Sequence, residues 1–157
     1  MAEQKTNVMR ILGQKKIKYT AHEYPHGEDA VDGVTVARMT GRDPACVFKT
    51  LVTRGASKGI YVFVIPVAEE LDLKKAAKVS GNKSCDLIPM KELLPVTGYI
   101  RGGCSPVGMK KAFPTYIEES AQLYDYIYVS AGVRGLQFKI APDALTGYVG
   151  AVYADLI

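Results

Sequence analysis

The hydrophobic and polar positions of this chain fall into two rhythms. Val8, Ile11 and Leu12 recur at helical spacing behind Thr6, whose hydroxyl suits an N-cap, and predict a first helix that ends near Gly13. Ile17-Lys18-Tyr19 then reads as extended, and His26 to Gly33 as a polar loop with three acids. Val34 to Met39 predicts a second helix, closed by Thr40-Gly41. Val47 to Val52 and Ile60 to Ile65 read as strands joined by a turn at Arg54 to Gly59. The second of these is apolar on both faces, which predicts a central place in its sheet.

Asp72 suits the cap of a third helix, with Leu73, Ala76, Ala77 and Val79 inward, Lys74, Lys75 and Lys78 outward, and Gly81 at its end. Pro89 opens a short helix through Leu94. Further strands are expected at Gly98 to Arg101, Thr115 to Glu118, Tyr126 to Ser130 and Leu136 to Ile140. Pro142 to Leu145 reads as one helical turn, and Tyr148 to Tyr153 is mostly apolar. Strands and helices mix without strict alternation, so a mixed α/β sheet with helices around it is expected.

Length and composition narrow the class. The chain has 157 residues, 48% hydrophobic and 23% charged, which fits one folded domain over residues 1–157. Twenty Lys and Arg against sixteen Asp and Glu give a net charge of +4, compatible with a nucleic-acid partner without demanding one. The three cysteines, Cys46, Cys85 and Cys104, are widely spaced and form no CxxC pair, so neither a disulfide framework nor a zinc site is signalled. The first residues lack an apolar signal core, and the longest apolar run, Ile60 to Ala68, is too short to span a bilayer. A cytoplasmic protein is expected, with no membrane contact, no metal and no cofactor.

The candidate chemistry lies in two glycine-dense runs. Gly98 to Gly108 contains Arg101, Gly102, Gly103 and Cys104; Ser130 to Gly135 contains Gly132 and Arg134. Such runs expose backbone amides and, with their hydroxyls and arginines, suit an oxygen-rich ligand. The first run is neither GxxxxGK[ST] nor GxGxxG. Cys104 has no evident base beside it, which argues against a thiolate nucleophile. Ser130 lacks a G-x-S-x-G elbow, and His22 and His26 are the only histidines, so it reads as a pocket wall rather than a nucleophile. His22-Glu23-Tyr24-Pro25-His26 matches HExxH, but Pro25 disfavours the helix that this zinc motif needs. Lys49 stands out: it sits in an apolar strand with Val47 and Leu51 on its face, where a lysine is either an edge residue or a fixed charge at a cleft, with Thr50 beside it.

Together these segments resemble the YbaK family of free-standing aminoacyl-tRNA deacylases, relatives of the editing domain of bacterial prolyl-tRNA synthetase. The matching pieces are Val47-Phe48-Lys49-Thr50-Leu51, Pro66-Val67-Ala68, Leu71 to Lys75, Thr97-Gly98-Tyr99, Gly102 to Gly108 with Lys110-Lys111, and Tyr128 to Leu136. They fall in register across nearly the whole chain and are most similar to the Cys-tRNA(Pro) deacylase branch. The resemblance implies a compact domain with a barrel-like mixed sheet, and a pocket for the 3′ aminoacyl-adenosine of a tRNA. It implies that Lys49 is the essential lysine and that Tyr24, Thr50, Gly103 and Ser130 hold pocket positions. Gly102, Gly132, Arg134 and Gln137 join them as expected substrate-binding residues. Gln137 follows Arg-Gly-Leu where members of the branch often carry an acid, so an amide that donates and accepts replaces an acceptor-only carboxylate.

The implied chemistry needs no metal: Lys49 holds the ester, backbone amides near Gly102-Gly103 polarise its carbonyl, and the substrate's own thiol or a water attacks. The implied partners are aminoacyl-tRNA and prolyl-tRNA synthetase. Rival readings are a deacylase of another amino acid such as alanine, a non-catalytic module that binds tRNA or a synthetase, and a nucleotide-binding regulator.

Overall fold

The computed structural model describes residues 6–25 and 32–157. Its elements are α1 (Asn7–Gln14), β1 (Tyr19–Glu23), α2 (Gly33–Met39), β2 (Phe48–Gly55), β3 (Ile60–Pro66), α3 (Leu73–Ser80), β4 (Cys85–Leu87), α4 (Met90–Thr97), β5 (Thr115–Glu118), β6 (Ile127–Ser130), β7 (Leu136–Ile140), α5 (Pro142–Val149) and β8 (Val152–Ala154). The caps are those that side-chain chemistry dictates. Met9 N donates to Thr6 Oγ1, Thr35 N to Asp32 Oδ1 and Lys74 N to Asp72 Oδ1, at 3.3, 2.9 and 2.9 Å.

The strands form two sheets. One has the order β4-β2-β3-β5-β8 and the other β1-β7-β6. β3 is central, as its two-faced apolarity predicted, and its parallel pairing with β5 makes the larger sheet mixed. A single parallel bridge, Val47 to Tyr128, ties the start of β2 to β6 and closes the sheets toward a barrel. The main core lies between them, with Leu12 of α1, Val52 and Val64 of the large sheet, and Phe138 and Ile140 of β7 fully or nearly fully buried. A second cluster under α3 joins Phe63 and Ile65 to Ala76 and Ala77.

Several expectations are corrected. Gly98 to Arg101 is not a strand: α4 runs on to Thr97, Gly98 caps it at φ 88°, and turns follow. Pro95 does not stop α4 at Leu94, because its missing N–H removes only the bond to Lys91 in the first turn. α5 makes two turns rather than one. β4 and β8 are three-residue edge strands with too few alternations to show a period. Leu73, expected inward, is 38% exposed at the first position of α3. β2 continues to Gly55, and its turn closes through Gly55 N donating to Gly59 O. The polar loop His26 to Gly33 lies mostly outside the described residues.

Candidate active site

A cleft of about 820 Å³ opens where the start of β2 meets the ends of β6 and β7. This is a fitting size for a small-molecule or nucleoside-sized ligand. Lys49, Tyr24, Thr50, Gly102, Ser130, Arg134 and Gln137 all line it. An apolar wall of Ile88, Met90 and Leu93 comes from the β4–α4 segment, which carries no polar motif and so left no functional signal in the sequence. Arg101 of the first glycine-dense run also lines the cleft, as does Asp32, which was not among the expected site residues.

Lys49 is half-buried beside the mouth of the large sheet. Burial pushes its ammonium below the ordinary lysine value, and Glu70 and then Glu69 oppose this. Neither ion pair among the described residues involves it. Two oxygens complete the polar lining: Thr50 Oγ1 on β2 and Gln137 Oε1 on β7 are buried with no hydrogen-bond partner. Gln137 is only 6% exposed. Burying a polar atom unsatisfied costs about 1–3 kcal/mol, so each oxygen is poised for a ligand group.

The two glycine-rich loops meet over the cleft. Arg134 Nε donates to Arg101 O at 2.8 Å. A Cβ on Gly103 would stand 3.0 Å from Val133 Cα, so only glycine lets the loops approach. Gly103 and Gly132 are not among the residues that line the cleft. Gly132, at φ +100°, packs against Tyr99 and Val8 behind it. The Gly103 amide already donates to Ile100 O at 3.0 Å, so it is spent as a carbonyl polariser. Gly102 lines the cleft, and its amide has no backbone acceptor among the described residues.

Nucleophile chemistry finds no support here. Ser130 and His22 are both in register with Gln137, on opposite sides of β7, which separates them by two strand spacings, about 10 Å. The His22 ring instead bonds Thr20 Oγ1 at 2.8 Å. His22 and Glu23 lie on strand β1, and His26 lies outside the described residues, so no HExxH helix forms at His22. Cys104 lines the cleft, but burial pushes its thiol up to about 12. Among the described residues, one carboxylate group has metal-like spacing: Glu118, Glu119 and Asp155. It lies away from the cleft, and Asp155 already accepts from Lys75 at 3.0 Å.

Residues 28–148 match the family model of the aminoacyl-tRNA editing domain. The chain belongs to that family. It is 49% identical over 154 residues to a candidate Cys-tRNA(Pro)/Cys-tRNA(Cys) deacylase, EbsC, of Enterococcus faecalis (strain ATCC 700802 / V583), a match covering 98% of this chain and 94% of that protein. A solved structure of a candidate trans-editing enzyme for prolyl tRNA synthetase superposes with a TM-score of 0.81 at 26% identity, covering 95% of each chain. The hypothetical protein APE2540 shares the fold alone, with a TM-score of 0.85 at 21% identity over 95% of this chain and 97% of its own. The mixed α/β editing fold is therefore that of this protein. Among the described residues, no helix is long and apolar enough to cross a membrane.

Proposed function

We propose that this editing domain, residues 1–157 acting as one unit, is a trans-acting deacylase that removes a small amino acid, cysteine foremost, from mischarged tRNA(Pro). The observation that carries the reading is one cleft shared by the half-buried Lys49 ammonium and the unpartnered oxygens of Thr50 and Gln137. The name of the Enterococcus relative favours a cysteinyl substrate.

The terminal adenosine enters between the apolar wall and the glycine-rich loops, and Lys49 neutralises the oxygens around the ester. The Gly102 amide polarises the carbonyl, as an oxyanion donor does. The substrate's own thiol attacks that carbonyl to form a C–S bond, the ester C–O bond breaks, the thiol proton passes to the departing ribose oxygen, and water then opens the resulting thiolactone to free cysteine. Positioning supplies most of the acceleration. Thr50 and Gln137 orient the aminoacyl group, while Tyr24, Ser130 and Arg134 shape the pocket. For an alanyl substrate a bound water takes the place of the thiol. The setting is the cytoplasm, as the substrate requires, and prolyl-tRNA synthetase supplies the choice of tRNA.

The test is single-turnover deacylation of Cys-tRNA(Pro) and Ala-tRNA(Pro), wild type beside Lys49→Ala. Loss of cysteine that falls by about a hundredfold or more in a folded Lys49→Ala variant is expected. Turnover of the alanyl substrate alone moves the specificity to alanine. Full activity without Lys49 overturns the reading.

A further inference from the structure

The outer face of the small sheet continues the cleft. Ile127, Val129, Leu136, Phe138 and Ile140 of β6 and β7 point into the core. The alternate residues therefore share the opposite face. There His22, Gln137 and Ser130 form one row across the three strands, and Thr20, Lys139 and Tyr128 form the next, about 7 Å farther along. Gln137 and Ser130 belong to the cleft wall. Leading away from it, the Arg42 guanidinium lies 4.1 Å over the Tyr128 ring. His22 meets the same ring edge-on at 5.6 Å. Lys139 Nζ stands 4.7 Å over Tyr126, a ring that is 49% exposed.

This strip interleaves cations with aromatic rings, and among the described residues no ion pair neutralises its charge. Neither ion pair among the described residues involves Arg42 or Lys139. Arg42 Nη1 is buried with no hydrogen-bond acceptor. His22 is lowered from its ordinary value by burial first, then by Arg42 and Lys139, and no acid opposes them. At neutral pH it is an uncharged ring between two fixed cations. Basic side chains beside stacking rings, in a strip that runs into a cleft, fit the sugar-phosphate backbone and bases of a single strand. A folded acidic peptide would use the cations and leave the rings idle.

We propose that this strip is the track for the single-stranded 3′ end of the tRNA, with Arg42 and Lys139 on its phosphates and the Tyr126 and His22 rings beside its bases. The proposal rests on the deacylase reading for the identity of the strand. It gives a chain of +4 net charge two cations, Arg42 and Lys139, on a path that leads to the cleft.

The test is the salt dependence of binding uncharged tRNA(Pro) by wild type, by Arg42→Gln/Lys139→Gln and by Lys58→Gln/Lys74→Gln. The last pair removes the same charge from the turn after β2 and from α3, away from the strip. Each phosphate contact contributes a slope of about 0.7–0.9 in log K against log salt, so the strip variant is expected to lose about 1.5 in slope and at least tenfold in affinity. The control is expected to lose clearly less. Equal losses in both variants overturn the strip and leave the deacylase reading intact. A wild type that binds tRNA through the strip yet cleaves neither Cys-tRNA(Pro) nor Ala-tRNA(Pro) overturns the deacylase reading and keeps the strip.

Discussion

Ser130 and His22 stand opposite the same residue, Gln137, from the two strands that flank β7. The sheet thus sets their backbones two strand spacings apart, and the imidazole turns to Thr20 rather than to the hydroxyl. Ser130 Oγ instead accepts from Gly132 N at 3.4 Å, which leaves its O–H for the cleft. Ser130→Ala should therefore cut deacylation by less than about tenfold, the size of one neutral hydrogen bond. A serine-bound acyl intermediate, sought by mass spectrometry after quenching, should be absent; finding one would sink the substrate-assisted scheme.

The depressed Lys49 pKa gives an alkaline limit to the reaction. Burial, its largest cause, disfavours the charged form, so the folded value lies below the ordinary 10.5. Between those two values the unfolded chain binds more protons, so the Lys49 contribution to stability rises with pH across that window and is flat below it. Activity runs the other way, because the ester needs the cation. The enzyme-catalysed rate, corrected for spontaneous hydrolysis, should fall with a midpoint below 10.5. Lys49→Arg keeps its charge throughout that range and should lack the fall, whatever its absolute rate.

Legibility followed the length and periodicity of each element. β5 and β7 match their expected bounds because each is a bounded apolar run with β-branched or aromatic residues. α2 was legible through its closing Thr40-Gly41 and α3 through Asp72 and Gly81, whose capping chemistry is local, while the Asp32 cap of α2 was not read. Gly98 to Arg101 misled because Tyr99 packs into the core from a turn while Ile100 stays exposed. In the site, Lys49 was legible because charge in an apolar strand is anomalous wherever the strand lies. The Gly103 role was not, because it depends on Val133 arriving from a separate loop. The Ile88, Met90 and Leu93 wall was invisible for a similar reason: apolar residues serve a core and a pocket alike, and only tertiary structure tells which.

Cys104 puts a thiol in the cleft that is no nucleophile at neutral pH. Burial raises its thiol from 9.0 to about 12, so almost none is thiolate at neutral pH. Cys104→Ala should keep deacylation within a few-fold of wild type. Alkylation of Cys104 by iodoacetamide at pH 8 should be far slower than that of half-buried Cys46. Rapid labelling of Cys104 with parallel loss of activity would return the thiolate to consideration.

On the proposed reading, Gln137 gives up stability for recognition. Its Oε1 is buried in the cleft without a partner, a cost of about 1–3 kcal/mol that only a bound ligand offsets. Gln137→Met replaces the amide with an apolar side chain of similar length, and the orphaned oxygen disappears. The variant should melt about 2–4 °C higher per kcal/mol recovered, measured by calorimetry. Its kcat/KM for Cys-tRNA(Pro) should drop by about tenfold, since a hydrogen bond to the aminoacyl group is lost. Gln137→Glu restores an acceptor but adds a buried charge, so it should melt lower than wild type and shift the ratio of cysteine to alanine removal. A Gln137→Met variant that melts higher while cleaving at the wild-type rate would show that the oxygen never meets the substrate, and would leave Thr50 Oγ1, among the described residues, as the buried orphan of the cleft able to do so.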